Sequence, residues 1–196
     1  MISTAQPLPA MSGAALTGVD ASDLVFISKN VISGASSELV VNFDQTAYSN
    51  WLIWIRDLHS VGTANIGMRW SNDNGTTFTN QNYGYYHGGG RNGHTFSRGA
   101  SYDAYAYLGE SNWNNSGSKF NATINVTTKA GDHQDEVCYW WMGGYNTTAG
   151  SAYQSHTNGS YHVVAPNYNT AFEITAGDGG TNLDEGTVTL YGYKET

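Results

Sequence analysis

The chain is short of cysteine, proline and basic residues, and each shortage removes a class of protein. One cysteine among 196 residues excludes an internal disulfide. Cys138 stands in the apolar run Val137-Cys138-Tyr139-Trp140-Trp141-Met142, where a buried thiol is expected and the fold needs no oxidising compartment. Eight Lys and Arg against sixteen Asp and Glu give a formal net charge of -8. A chain so charged presents no basic face to a polyanion, so nucleic acid is not an expected partner. No stretch approaches the roughly 18 apolar residues of a membrane-spanning helix, so no membrane partner is expected. The first residues lack the charged-then-apolar order of a secretory signal, and the expected route out of a producing cell is lysis. Strong helix formers are scarce too, with few Leu, Glu or Lys, which excludes a helical bundle.

What is present complements these shortages. Gly 24, Tyr 14 and Trp 6, with abundant Asn, Ser and Thr, make a composition of strand and turn formers. The predicted class is all-β with long loops. At 196 residues one domain is expected, able to bury roughly 70% of the surface its unfolded chain exposes.

The organising stretch runs from Tyr48 to Phe78. Tyr48-Ser49-Asn50-Trp51-Leu52-Ile53-Trp54-Ile55 is apolar on both alternating faces and predicts a central strand covered on each side. Asn65 to Ser71 alternates, with Ile66, Met68 and Trp70 on one face and Gly67, Arg69 and Ser71 on the other. It stops at Asn72-Asp73-Asn74-Gly75, residues that supply the left-handed backbone angles of a tight turn.

Around this unit lie Leu24 to Ile27, and Glu38 to Phe43 with Leu39, Val41 and Phe43 sharing a face. A further strand is expected between Thr77 and Tyr86, and another from Tyr102 to Leu108. Phe120, Ala122, Ile124 and Val126 point inward from one strand. Val137 to Met142 reads as a second strand buried on both faces. Phe172 with Ile174, then Val188 with Leu190, close the series. Gly88 to Gly93, Ser111 to Ser118 and the long segment from Gly143 to Ser160 read as loops. Strands at this spacing fit two antiparallel sheets packed face to face, a jelly-roll-like sandwich over residues 23 to 196. Residues 1 to 22 are uncharged until Asp20 and carry Pro7 and Pro9, which favour an extended arm. Ile2, Pro7, Leu8, Pro9 and Met11 are its candidate assembly contacts.

Met68-Arg69-Trp70-Ser71-Asn72-Asp73-Asn74-Gly75-Thr76-Thr77-Phe78, following an apolar Tyr/Trp strand, and the closing Gly186-Thr187-Val188-Thr189-Leu190-Tyr191-Gly192 resemble a group of β-sandwich proteins from tailed bacteriophages. Members of that group look like tail-fibre ends or short, free-standing virion proteins. The resemblance implies a non-enzymatic virion structural protein, a tail fibre or tip component or a capsid decoration, docking on other virion proteins through its arm. It also implies a homo-oligomer, a trimer by analogy, made in the host cytoplasm and released with the virion. It carries no catalytic motif.

Aromatic rings among Gly, Asn and Ser are what recognition surfaces use, because rings offer contact area at little entropic cost and amides supply hydrogen bonds. Tyr85, Tyr86 and His87 beside the glycine loop, with Trp113, Tyr145, Tyr153 and Tyr161, are therefore candidate contacts for a receptor or host-surface glycan. An adhesin module is the alternative function. Asp132-His133-Gln134-Asp135-Glu136, and Asp178 with Asp184-Glu185, place oxygen ligands close together. Neither matches a calcium-loop or paired-histidine spacing, so solvated acidic loops are expected, with no metal and no cofactor. A jelly-roll glycosidase would need two carboxylates across a cleft. Glu136 and Glu173 are the pair to consider, Glu173 being opposite in phase to Phe172 and Ile174. No flanking signature supports them and no serine sits in a nucleophile elbow, so no enzymatic activity is expected.

Overall fold

In a computed structural model, the described residues are 24–44, 47–48, 50–62, 65–78, 83–91, 94–103, 105–108, 119–128, 136–146, 152–162, 169–177 and 181–194. The expected arm, residues 1 to 22, lies outside them. The elements in chain order are β1 (Leu24–Ser36), β2 (Glu38–Asn42), β3 (Asn50–Ser60), β4 (Asn65–Ser71), β5 (Tyr83–Arg91) and β6 (His94–Asp103). They continue with β7 (Ala106–Tyr107), β8 (Lys119–Thr128), β9 (Glu136–Asn146), β10 (Ala152–His162), β11 (Ala171–Gly177) and β12 (Leu183–Tyr193). No helix occurs among the described residues. For β5, β6, β9 and β10 the description is of backbone pairing.

Two antiparallel sheets form, one in the order β1-β12-β3-β8-β9-β10-β5-β6 and one in the order β2-β11-β4-β7. Four pairings within them are nested in the sequence: β1 with β12, β2 with β11, β3 with β8 and β4 with β7. Successive pairs alternate between the sheets. That is a long hairpin rolled up, the wrapping of a jelly roll. The sandwich expected from the sequence is therefore the fold, with β5–β6 and β9–β10 added to one edge of the larger sheet. Both additions fall in segments that the sequence pattern assigned partly to loops. Gly88 to Arg91 is strand in β5, and the supposed excursion after Gly143 completes β9 and forms β10. The expected strand from Tyr102 to Leu108 is instead the end of β6 and the two residues of β7.

The core lies where the alternation placed it. Ile66, Met68 and Trp70 of β4 are at most 1% exposed, and Phe120, Ala122, Ile124 and Val126 of β8 are buried opposite Leu58, Ile55, Ile53 and Trp51 of β3. Each buried Ile, Val, Met or Phe among them contributes about 1.5–3 kcal/mol. Phe43 holds the centre, edge-on to Trp51 at 5.0 Å and to Trp70 at 5.8 Å between ring centroids. The space these rings share with Phe172 and Leu190 admits no water-sized void.

One irregularity shifts the pattern. Asp57 has φ +51° and interrupts the β3 register between Ile55 and Leu58, so the burial phase slips and Leu58 turns fully inward. The neighbouring strand bulges at the same level, at Gly186 with φ +144°. A Cβ at that position would stand 2.8 Å from the Leu58 Cα, so only glycine fits there.

Candidate functional site

The aromatic candidates named from the sequence fall on the strands added to the larger sheet, apart from Trp113, which lies outside the described residues. Tyr85, Tyr86 and His87 are in β5, Tyr145 in β9, and Tyr153 and Tyr161 in β10. Tyr145 and Tyr153 were expected in a loop and Tyr85, Tyr86 and His87 beside one; pairing among β9, β10, β5 and β6 makes strands of these segments. Backbone register sets Tyr145 directly opposite Tyr153, and Tyr85, Tyr86 and His87 opposite Gly159, Asn158 and Thr157. Tyr161 pairs with Tyr83 and Val137.

A second aromatic group, which sequence reasoning missed, occupies the outer face of the larger sheet. β12 lies between β1 and β3, with Phe26 opposite Tyr191 and Tyr191 opposite Leu52 in one cross-strand row. Lys29, Thr189 and Trp54 form the next row on that face, and Val31, Thr187 and Arg56 the one after. Alternation thus sends Leu52, Trp54 and Arg56 of β3 outward while Trp51, Ile53 and Ile55 go to the core. Tyr191 meets Phe26 edge-on at 5.9 Å and Trp54 at 5.3 Å, the second across the diagonal of the ladder. The Arg56 guanidinium lies 5.3 Å over the Trp54 ring.

This group is open to water. Phe26 is 58% and Val31 62% exposed, whereas Trp54 and Tyr191 are half-buried by each other. The two ring pairs contribute about 0.5–1.5 kcal/mol each and an exposed cation–π contact about 0.5–1 kcal/mol. Such sums are small beside the core, so the fold does not require this ladder. Thr123 and Asn125 of β8, on the same phase as Trp54 and Leu52, add a hydroxyl and an amide at its border. Toward the bulge, Asp184 is held by His59 at 2.6 Å and Glu185 by Lys119 at 2.6 Å.

The smaller sheet's outer side is built differently. Val40, Glu173 and Arg69 form one cross-strand row there. Arg69 donates from Nε to Glu173 Oε1 and lies between two rings, 4.7 Å from Tyr105 and 5.6 Å from Phe78. Glu173 is fully buried. Burial pushes its carboxyl up to about 7; the hydrogen bond from Arg69 opposes that shift and the nearby Glu38 carboxyl adds to it. The sequence placed Glu173 on the phase opposite Phe172 and Ile174, which is correct, but among the described residues its side chain is fully buried and not open to a ligand.

Phe78 is brought there by the turn at 72–77. Ser71 donates from Oγ to Asp73, and Asp73 also accepts from the backbone N–H groups of Thr76 and Thr77 and from the Thr77 hydroxyl. Those donors, Ser71 first, hold the Asp73 carboxyl at about 2. Asn74 and Gly75 take φ +59° and +78°, the left-handed angles foreseen for this turn. Among the described residues no three His, Cys, Asp or Glu side chains converge as metal ligands would. Of the acidic stretches considered earlier, 132–135 and Asp178 lie outside the described residues, while Glu136 opens β9.

Comparison with family models, curated proteins and solved structures finds no match. The open ladder on the larger sheet and the closed ion pair on the smaller one are therefore weighed on their geometry. A signal for the ladder was present in the sequence: Arg56 shares its phase with Leu52 and Trp54, so that face of the strand meets water. The apolar run from Trp51 to Ile55 concealed it.

Proposed function

We propose that this chain is a non-enzymatic structural protein of a bacteriophage particle, held there through residues 1–22, whose sandwich recognises a host-surface glycan with the outer face of its larger sheet. The recognition half rests on one observation, the solvent-exposed ladder Phe26–Tyr191–Trp54 under the Arg56 guanidinium. Flat rings edged by hydroxyl and amide groups match the apolar faces and hydroxyl edges of sugars. The particle half rests on the resemblance carried by Met68–Phe78 and Gly186–Gly192, which also underlies the expected trimer and the virion location. Glu173, one of the two carboxylates weighed for a glycosidase, is fully buried and tied to Arg69 and so does not line the proposed sugar-binding face.

Glycan-array binding by the full chain, repeated with Phe26→Ala and Trp54→Ala, tests recognition. At least a tenfold loss of binding is expected, with melting temperatures held within about 3 °C. A full chain that binds no glycan, or variants that bind as it does, would overturn the reading. For the arm, deletion of residues 2–22 is expected to leave a folded domain that no longer enters particles; unimpaired incorporation would remove the attachment role.

A further inference from the structure

We infer that the outer face of the larger sheet selects an acidic saccharide, its sugar ring on Trp54 and Tyr191 and its carboxylate between Arg56 and Lys29. The inference rests on the recognition reading above and adds the chemical class of the ligand. Its ground is the distribution of charge. The protein has twice as many acidic as basic residues, sixteen against eight. Yet in the three outer rows running from Phe26 to Arg56 across β1, β12 and β3, the only charged residues are Lys29 and Arg56.

Neither cation has a salt-bridged carboxylate among the described residues, whereas the nearby Asp184 and Glu185 are each taken by their own partner. Arg56 is held over the Trp54 ring, so its planar donors are oriented before a ligand arrives, the arrangement that suits bidentate capture of a carboxylate. Lys29 stands two strands away in the Trp54 row. At the usual strand spacing that is about 10 Å between Cα positions, a span flanked by Lys29 on β1 and Arg56 on β3. A pyranose ring placed on Trp54 and Tyr191 would thus sit between two cations.

Other occupants fit less well. A second copy docked by two-fold symmetry would bring both Arg56 and Lys29 pairs into one buried surface with no carboxylate in these rows to neutralise them. Single-stranded nucleic acid also stacks on rings, but it carries a phosphate at every residue, which a net charge of -8 repels, whereas a single carboxylate is met by the two local cations alone.

The test uses the full chain and matched oligosaccharides: uronate- or sialate-bearing chains, the same chains methyl-esterified, and a single-stranded oligonucleotide. Binding of acidic members is expected, falling at least tenfold on esterification and at least tenfold in Arg56→Gln, and weakening as salt rises. Equal binding of acid and ester would overturn this inference while leaving glycan recognition standing. Absence of binding to every saccharide would remove both, as would preference for the oligonucleotide. Arg56-dependent dimerisation in light scattering, without saccharide binding, would assign the face to self-association and overturn the proposal. Arg56→Lys, which keeps the charge and loses the fork, is expected to recover only part of the affinity; full recovery would overturn the bidentate geometry.

Discussion

Arg56 and Arg69 occupy the same kind of position, the outward phase of a sandwich strand, each with its guanidinium near an aromatic ring. Their surroundings make them different devices. Over Arg69 the chain returns twice, as Phe78 beyond the Asp73 turn and as Tyr105 before β7, and Glu173 supplies a buried counter-charge. Nothing among the described residues roofs Arg56, and its ring neighbours Trp54, Tyr191 and Phe26 stay in contact with water. A cation on a ring is thus either a structural rivet or an exposed recognition group, according to whether the chain comes back over it.

The largest expected difference comes from removing one charge at each place. Arg69→Met leaves Glu173 buried without its partner and is expected to lose about 3–5 kcal/mol in urea unfolding. Opening the roof is the next effect. Tyr105 lies so close over β4 that a Cβ on Gly67 would come within 2.9 Å of its ring, and Tyr105→Ala is expected to cost roughly 2–3 kcal/mol. Water admitted there should also bring the Glu173 carboxyl back toward the ordinary range, seen by NMR titration of its side chain.

A smaller effect appears against pH. Glu173 titrates at about 7 in the folded chain against an ordinary 4.5, so between those values the folded state binds more protons than the unfolded state. Stability from this group is therefore greatest below the ordinary value and falls as pH rises through about 7. The melting temperature should drop by roughly 5 °C across that window, and Glu173→Gln should flatten the slope. Last comes Arg56→Met, expected to change stability by no more than about 0.5 kcal/mol. A loss from Arg56→Met equal to that from Arg69→Met would erase the contrast and make the open ladder structural.

Much of the fold was legible because alternation is a local property. Ile66, Met68 and Trp70, or Phe120 through Val126, declare their inner face within seven residues, and Asn72 to Gly75 declares its turn by the backbone angles those residues tolerate. The glycine-rich segment at 88–90 was not legible. Glycine carries no side chain to set a period, and its strand exists only because β10 and β6 supply ladder partners on either side. The phase slip at Asp57 was hidden for a related reason, since a bulge is fixed by the neighbouring strand's own irregularity at Gly186.

Site and fold divide along the same line. Taken alone, the sequence determined an all-β chain, the inner and outer phase of its regular strands, and the outward placing of Glu173; it read Trp51 to Ile55 as covered on both sides, which the open face at Trp54 and Arg56 corrects. Tertiary structure alone decided which outward face is roofed, because the covering groups come from afar. Tyr105 lies 36 positions beyond Arg69 and Glu173 lies 104 beyond it, while Phe26 reaches Trp54 only through Tyr191 at the opposite end of the chain. Periodicity reports which way a side chain leaves its own strand, and solvent exposure depends on what the rest of the chain then lays upon it.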